Sequence, residues 1–326
     1  MGVPFRLHFP VTMVELPGKQ GERLEYSLPI RVRWDVDFQG RSGRAKRIAR
    51  QIREASPLFV ELRIEGEKGI SEVPAIFTEI HKCNPRIEVT APLFPEAIAV
   101  ARRGYPMMNF LWEVSAREPF RRLLPSGADA ISFVPDEENL AYLPDVLEEF
   151  ADSEPRTLHL PNINAVRALA LKGHVPIPRP DGLREAGDRI SALRISLEGK
   201  KLVAHDYFLW RILRDAFPNE VTGRVEFSGC QAASALAHVD WEGNVYPCDS
   251  LPIRLGNLQE AMFETIWNAP ARLRIHEAIR SVPASCEPCD QREGCLSGCR
   301  GLAYQVSGTM DAPDPCCPEK TAPPSK

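Results

Sequence analysis

The chain has no apolar run long enough to cross a bilayer. The longest mainly apolar stretch, Pro106 to Trp112, is seven residues, against the roughly 20 that a membrane helix requires. It has no basic excess either. Forty Lys and Arg stand against forty-four Asp and Glu, a net charge of −4, so no cation surplus exists for a phosphate backbone and nucleic acid is not the expected partner. The opening residues, Met1-Gly2-Val3-Pro4-Phe5-Arg6, have no charged head, apolar core and cleavage site, which makes the cytoplasm the expected address. There is no P-loop, no Gly-x-Gly-x-x-Gly and no Gly-x-Ser-x-Gly, so the usual sequence signals for phosphate cradles and serine nucleophiles are missing. No tandem repeat is visible, and the seven histidines are scattered. Most telling, residues 1–229 contain a single cysteine, Cys83.

What is present describes a folded protein. In 326 residues, 44% are hydrophobic and 26% charged, enough apolar surface for a core and too little charge for global disorder. Six short apolar runs read as buried strands: Leu28 to Trp34, Leu58 to Ile64, Arg86 to Thr90, Met107 to Val114, Ala130 to Val134 and Thr157 to Leu160. Helical patterns lie between them, at Ala45 to Glu54, Val73 to Lys82, Pro95 to Arg103, Pro119 to Leu124 and Leu140 to Phe150. Alternation at this spacing predicts βαβ units and a parallel sheet, in the form of a partial (β/α)6 barrel of TIM-like type. An opening hairpin is expected from Phe5 to Leu28, a loop from Gly173 to Gly187, and a helix from Val203 to Ala216. The composition changes near Thr222, which divides the chain into a barrel unit, 1–218, and a cysteine-rich unit, 219–326.

Eight of the nine cysteines fall in the last 97 residues. In a reducing compartment such clustering points to metal or redox chemistry rather than to a disulfide scaffold. Cys230 is followed by twelve residues, then Gly243, four residues and Cys248. Cys286-x2-Cys289-x5-Cys295-x3-Cys299 comes next, and then Cys316 and Cys317 within Asp-Pro-Cys-Cys-Pro. Thiolates ligate iron–sulfur clusters, four for a fully protein-held site. A Cys-x2-Cys loop directs two sulfurs at one centre, and Gly243 supplies the turn of a hairpin, Val239 to Pro247, that presents Cys248. The same spacing also suits a four-cysteine structural zinc site.

The whole pattern resembles that of SPASM domains, the C-terminal modules of many radical S-adenosylmethionine enzymes that modify peptides. Val239-Asp240-Trp241-Glu242-Gly243-Asn244-Val245-Tyr246-Pro247-Cys248, Leu255-Gly256-Asn257-Leu258 and Ile266-Trp267-Asn268 also look like that family. The resemblance implies two [4Fe–4S] clusters. Cys286, Cys289, Cys295 and Cys317 would hold one, and Cys230, Cys248 and Cys299 the other. The fourth ligand of the latter is open between Cys316, Asp249 and an exogenous group, and a [2Fe–2S] centre or no first cluster at all also fits an incomplete shell.

The barrel that should accompany such a module lacks its hallmark. Radical S-adenosylmethionine enzymes carry CxxxCxxC after the first barrel strand, whereas this chain has Asp35-Val36-Asp37-Phe38-Gln39-Gly40-Arg41-Ser42-Gly43-Arg44. Asp35 and Asp37 cannot replace three thiolates, because hard oxygen ligands do not suit that cluster. Ile64-Glu65-Gly66-Glu67 falls where relatives have a Gly-Gly-Glu cofactor turn, with Glu65 in place of a glycine. S-adenosylmethionine is therefore not expected as a cofactor. Arg41, Arg44, Lys46, Arg47 and Arg50 read as a solvated helix face. The chain is similar to the SPASM companions of true radical enzymes, such as those of the GeoRSP peptide-maturation system. That implies a non-catalytic partner of a radical maturase, which relays electrons, docks the enzyme or presents a ribosomally made peptide. A metal-stabilised scaffold that binds a peptide or protein, and an enzyme acting at an open cluster iron, are the alternatives.

Overall fold

A computed structural model describes residues 11–14, 23–36, 42–64, 66–83, 85–92, 108–114, 128–218 and 230–321. Strands β1 (Val11–Val14) and β2 (Arg23–Tyr26) form the antiparallel hairpin read from the sequence. A second sheet of ten strands organises the rest. It comprises β3 (Arg31–Val36), β4 (Phe59–Ile64), β5 (Arg86–Ala91), β6 (Met108–Val114), β7 (Ala130–Phe133), β8 (Thr157–Leu160), β9 (Lys201–Ala204), β10 (Leu236–Val239), β11 (Asn244–Tyr246) and β12 (Gly256–Asn257), in the order β12-β11-β10-β3-β4-β5-β6-β7-β8-β9. From β10 through β3 to β9 every pairing is parallel, and β11 and β12 add antiparallel strands beyond β10. Arg31 on β3 and Lys201 on β9 line one cavity although five strands lie between theirs. Strands about 4.8 Å apart bring such residues together only if the sheet curls, so the architecture is an open half-barrel.

The pleat decides what faces where. On β3 to β5, Val32, Trp34, Val36, Val60, Leu62, Ile64, Ile87, Val89 and Ala91 are buried in the main apolar core. The intervening residues, among them Arg31, Arg33, Asp35, Glu61, Arg63, Glu88 and Thr90, line the lumen. Helix α1 (Ser42–Ala55) covers the outer face with Ala45, Ile48, Ala49 and Ile52, a stripe at helical spacing. Lys46, Arg47 and Arg50 lie on its solvated side, as read from the sequence, and Arg53 reaches Glu79 of α2 (Gly66–Ile80). Arg41 lies outside the described residues. The further helices are α3 (Leu143–Ala151), α4 (Ala165–Lys172), α5 (Pro180–Ser191), α6 (Tyr207–Ala216), α7 (Phe263–Trp267), α8 (Pro270–Arg280), α9 (Arg292–Cys295) and α10 (Arg300–Ser307).

Two local expectations are corrected. Residues 173–187 are not one loop: Pro180 opens α5, where its missing N–H costs nothing, and Leu183, Ala186 and Ile190 bury one face. The helix expected from Val203 starts only at Tyr207. Residues 201–204 extend the sheet as the seventh parallel strand counting from β3, and the Asp206 carboxylate then caps the helix by accepting the Leu209 N–H at 2.8 Å. The helices expected at 95–103 and 119–124 lie outside the described residues.

The apolar core runs without a break from the half-barrel into the cysteine-rich segment, from Val32 to Leu302 and Cys316. Trp267 of α7 is fully buried, and its indole N–H donates to the Tyr26 carbonyl at 3.0 Å, while Asn268 donates to Ser27 at 3.1 Å. The tail is thus stitched to the start of the chain. Trp267→Ala should cost about 3–5 kcal/mol of unfolding free energy, the usual range for deleting a buried aromatic. Arg47→Ala, on the solvated face of α1, should change it by less than about 0.5 kcal/mol. Urea titration followed by circular dichroism distinguishes the two.

Candidate metal centre

The hairpin that presents Cys248 is built around one carboxylate. Asp240 accepts the N–H groups of Glu242 and Asn244 at 2.8 and 2.9 Å on one oxygen, and the Asn244 amide and Tyr246 hydroxyl at 2.8 and 3.1 Å on the other. Gly243 takes φ +84, a conformation that favours glycine, and closes the turn. The chain then leaves β11 through Pro247 into Cys248. Ala233 N–H donates to the Pro247 carbonyl at 3.1 Å, which sets the Cys230 segment beside it.

Three contacts fasten the Cys248 turn to the half-barrel. Arg33 of β3 ion-pairs with Asp249 at 3.0 Å, the Val166 N–H donates to the Asp249 carbonyl at 3.1 Å, and the Ser250 hydroxyl donates to the Ile163 carbonyl at 2.8 Å. From the other side, α10 presses in through Gly301. A Cβ there would lie 2.5 Å from the Ser250 carbonyl oxygen, so only glycine permits the approach. Cys299, the N-cap of α10, accepts the Leu302 N–H on its sulfur at 3.5 Å and comes to face Cys248. Cys230, Cys248 and Cys299 together wall a small cavity of about 50 Å³, which Cys295 also reaches.

The other cysteines sit on a tight loop. Leu296, Ser297 and Gly298 all have positive φ, of 51, 66 and 69, between Cys295 and Cys299. Two consecutive non-glycine residues in this region are strained backbone, a feature that clusters at ligand sites. The Arg300 guanidinium is buried beneath this loop and donates to the carbonyls of Ser297, Met310 and Ala312. Asp314 ties the two ends together. One of its oxygens accepts the Cys299 N–H at 2.5 Å, the other the Cys316 N–H at 2.8 Å, and its carbonyl accepts the Cys317 N–H at 3.1 Å. Cys286 and Cys289 are joined by a 3.2 Å backbone bond, and Cys317 is near enough to Cys295 to help make its thiol a weaker acid. The Cys316 thiol is buried and donates to the Pro178 carbonyl at 3.4 Å. Among the described residues, no three His, Cys, Asp or Glu side chains converge as ligands of a single ion.

The thiols fit a cationic centre. Burial, and after it the Asp249 carboxylate, push the Cys248 thiol well above the ordinary range, with Cys230 and Cys299 adding to the rise. Burial and Asp314 raise Cys299 likewise, and carry Cys295 up to about 12. Soft donors held this close to carboxylates need a metal's charge to become thiolates, and a bound cation supplies it.

Other polar candidates lie elsewhere. His238 faces Asp35 at 3.4 Å across β10 and β3, in the lumen rather than in the thiol cavity. Asp35 also accepts from Asn164 at 2.9 Å, Cys83 ends the turn after α2 with its thiol on the Ile80 carbonyl, and Asp37 and Glu65 lie outside the described residues. Sequence reasoning missed Asp314, for which no pattern exists. It also missed the polar lumen, for which one does: Arg-Val-Arg-Trp-Asp-Val in β3 alternates strictly.

Comparison with known proteins agrees with this construction. Residues 230–290 match the SPASM family model, described as an iron–sulfur cluster-binding domain. The AdoMet-dependent heme synthase of Nitratidesulfovibrio vulgaris is 30% identical over 92 residues, and the PqqA peptide cyclase of Granulibacter bethesdensis is 27% identical over 89. These stretches are 28% and 26% of this chain, and they span about a quarter of each relative, 25% and 24%. Among solved structures, native anSMEcpe with bound AdoMet superposes with a TM-score of 0.58 at 12% identity, covering 88% of this chain and 94% of that one. Streptococcus suis SuiB bound to precursor peptide SuiA gives 0.54 at 14% identity, over 88% and 75%. The class is therefore an α/β half-barrel carrying an iron–sulfur cluster-binding domain. More particularly, residues 230–290 match the SPASM family, and the chain has no cysteine in the stretch after its first parallel barrel strand.

If Asp314 sets both ligand segments, Asp314→Ala should lower bound iron and sulfide per chain to about half or less, while Asp314→Asn, which keeps one acceptor oxygen, retains more. Iron and sulfide assays on anaerobically purified variants test this. Equal content in the wild type and the alanine variant would deny Asp314 the role.

Proposed function

We propose that the chain is a non-catalytic iron–sulfur partner of a radical peptide maturase. The observation that carries this reading is the pairing of an iron–sulfur cluster-binding domain with a barrel whose corresponding stretch, residues 35–44, has no cysteine. Two relatives by sequence or fold are named for work on peptides, a PqqA peptide cyclase and a structure of SuiB with precursor peptide SuiA. By that likeness a ribosomally made peptide, a radical maturase or both are the proposed partners, in the cytoplasm. No described helix is long and apolar enough to cross a membrane.

In this reading residues 219–326 form the cluster-binding unit and 1–218 its support. Cys286, Cys289, Cys295 and Cys317 hold one [4Fe–4S] cluster, and Cys230, Cys248 and Cys299 hold the other. Cys316 completes the second set. Its support is the Asp314 carboxylate, which bonds the N–H of Cys299 and that of Cys316 on its two oxygens. To ligate, the Cys316 thiol must leave the Pro178 carbonyl. When bound, such clusters supply one-electron storage. The chain's own residues hold the Cys248 turn through Arg33 and Asp249, and seat α10, with Cys299 at its N-cap, against Ser250 through Gly301. S-adenosylmethionine has no place in the proposal.

Anaerobically purified protein should be brown and carry acid-labile sulfide, and after reduction it should form no 5′-deoxyadenosine from S-adenosylmethionine. A colourless protein with stoichiometric zinc would favour the scaffold, and 5′-deoxyadenosine formation by the protein alone would overturn the non-catalytic reading. In Cys316→Ala the iron count should fall and the electron paramagnetic resonance spectrum change. An unchanged spectrum would leave the fourth position to an exogenous ligand and favour an enzyme acting there.

A further inference from the structure

The half-barrel lumen contains a cavity of about 390 Å³, within the size range of small-molecule sites, and the cysteine chemistry does not use it. Its two walls differ. Along β3 to β6 the charges satisfy one another: Arg31 and Arg33 share Glu61, Arg33 also holds Asp249, Arg63 pairs with Glu113, and Asp35 takes His238 and Asn164. Against the upward push of burial, Arg33 and Arg31 hold the Glu61 carboxyl down to about 2.

The wall made by β7 to β9 is different. Ser132 and His159 are register partners, and His159 pairs in turn with Val203, two residues beyond Lys201. Among the described residues the Ser132 hydroxyl, the imidazoles of His159 and His205 and the Lys201 ammonium have no hydrogen-bond or ion-pair partner, yet all four line the cavity. Ser132 is only 3% exposed. Its hydroxyl opens on the cavity, where a guest can pair with it. Burial, with Arg33 among the charges that add to it, lowers both imidazoles to about 4, so each is a neutral donor and acceptor at physiological pH. Lys201 is then the only cation of this wall among the described residues.

One free cation, neutral hydrogen-bonding groups and occupied arginines define the guest's chemistry. A phosphate dianion asks for more positive charge and for the bidentate guanidinium contacts already used here. We propose that the β7–β9 wall of the lumen binds a small organic monocarboxylate, with its carboxylate on Lys201 and its polar body against His159, His205 and Ser132. The inference does not depend on the cluster reading, although His205, Gln231, Leu236 and Asp249 line both the lumen and the thiol cavity, which places the guest beside the Cys248 turn.

Titration calorimetry on the full chain with acetate, pyruvate, 4-hydroxybenzoate and inorganic phosphate tests this, together with ¹⁵N resonances of the histidine rings. At least one carboxylate should saturate at one per chain and shift the ring signals of His159 and His205. Lys201→Gln, at an exposed position that the fold tolerates, should weaken it about tenfold or more, as expected for losing a charge-assisted bond. Lys201→Arg should recover part of the loss, and Lys172→Gln, at a surface ion pair with Glu138, should have no effect. The proposal is overturned if none of the carboxylates moves the ring signals, if phosphate binds more tightly than all of them, or if Lys201→Gln binds as well as the wild type.

Discussion

The Arg33–Asp249 ion pair is the contact on which the arrangement turns. Arg33 is the middle inward residue of the first barrel strand and Asp249 follows a candidate cluster ligand. Their pairing, with Ser250 on Ile163 and the Val166 N–H on Asp249, places the Cys248 turn, which follows β11, against the segment that follows β8. The pair is partly buried, and such pairs often contribute little net stability because desolvation offsets attraction. What it supplies is position. With Asp249 engaged by Arg33, its carboxylate faces the lumen and the thiol cavity together, so the two share a wall.

The lumen departs from the packed interior typical of a closed barrel, where branched apolar side chains fill layer upon layer. Here the inward positions carry arginine, aspartate, glutamate and histidine, and the apolar residues of the same strands point outward under the helices. The core that stabilises the protein is therefore the layer between sheet and helices. The interior is left polar, at the desolvation cost of burying charges, which mutual pairing along β3 to β6 offsets.

In the cysteine-rich segment a few polar groups do the positioning that extensive secondary structure does elsewhere. Asp240 shapes the hairpin, Arg300 holds the strained loop from below, and Asp314 joins Cys299 to Cys316 and Cys317. Each is buried, and each satisfies several backbone groups that would otherwise be costly to bury. Small helices such as α9 and α10 need these contacts because they are too short to be stable alone.

Six parallel strands and the cysteine module were legible in the sequence, because apolar runs at barrel spacing and fixed cysteine intervals are local signals. The same holds for the solvated face of α1 and for the Gly243 turn. The start of α6 was not legible: the stretch from Val203 is apolar enough for either state, and the edge of β8 together with the Asp206 cap decides it. Nor was the packing around the cysteines, since Asp314, Gly301 and Pro178 meet that segment only through long-range packing. The lumen lies between these cases. Its alternating charges were written in β3, but whether they faced solvent, a helix or one another depended on the curl of the sheet, a property of all its strands together.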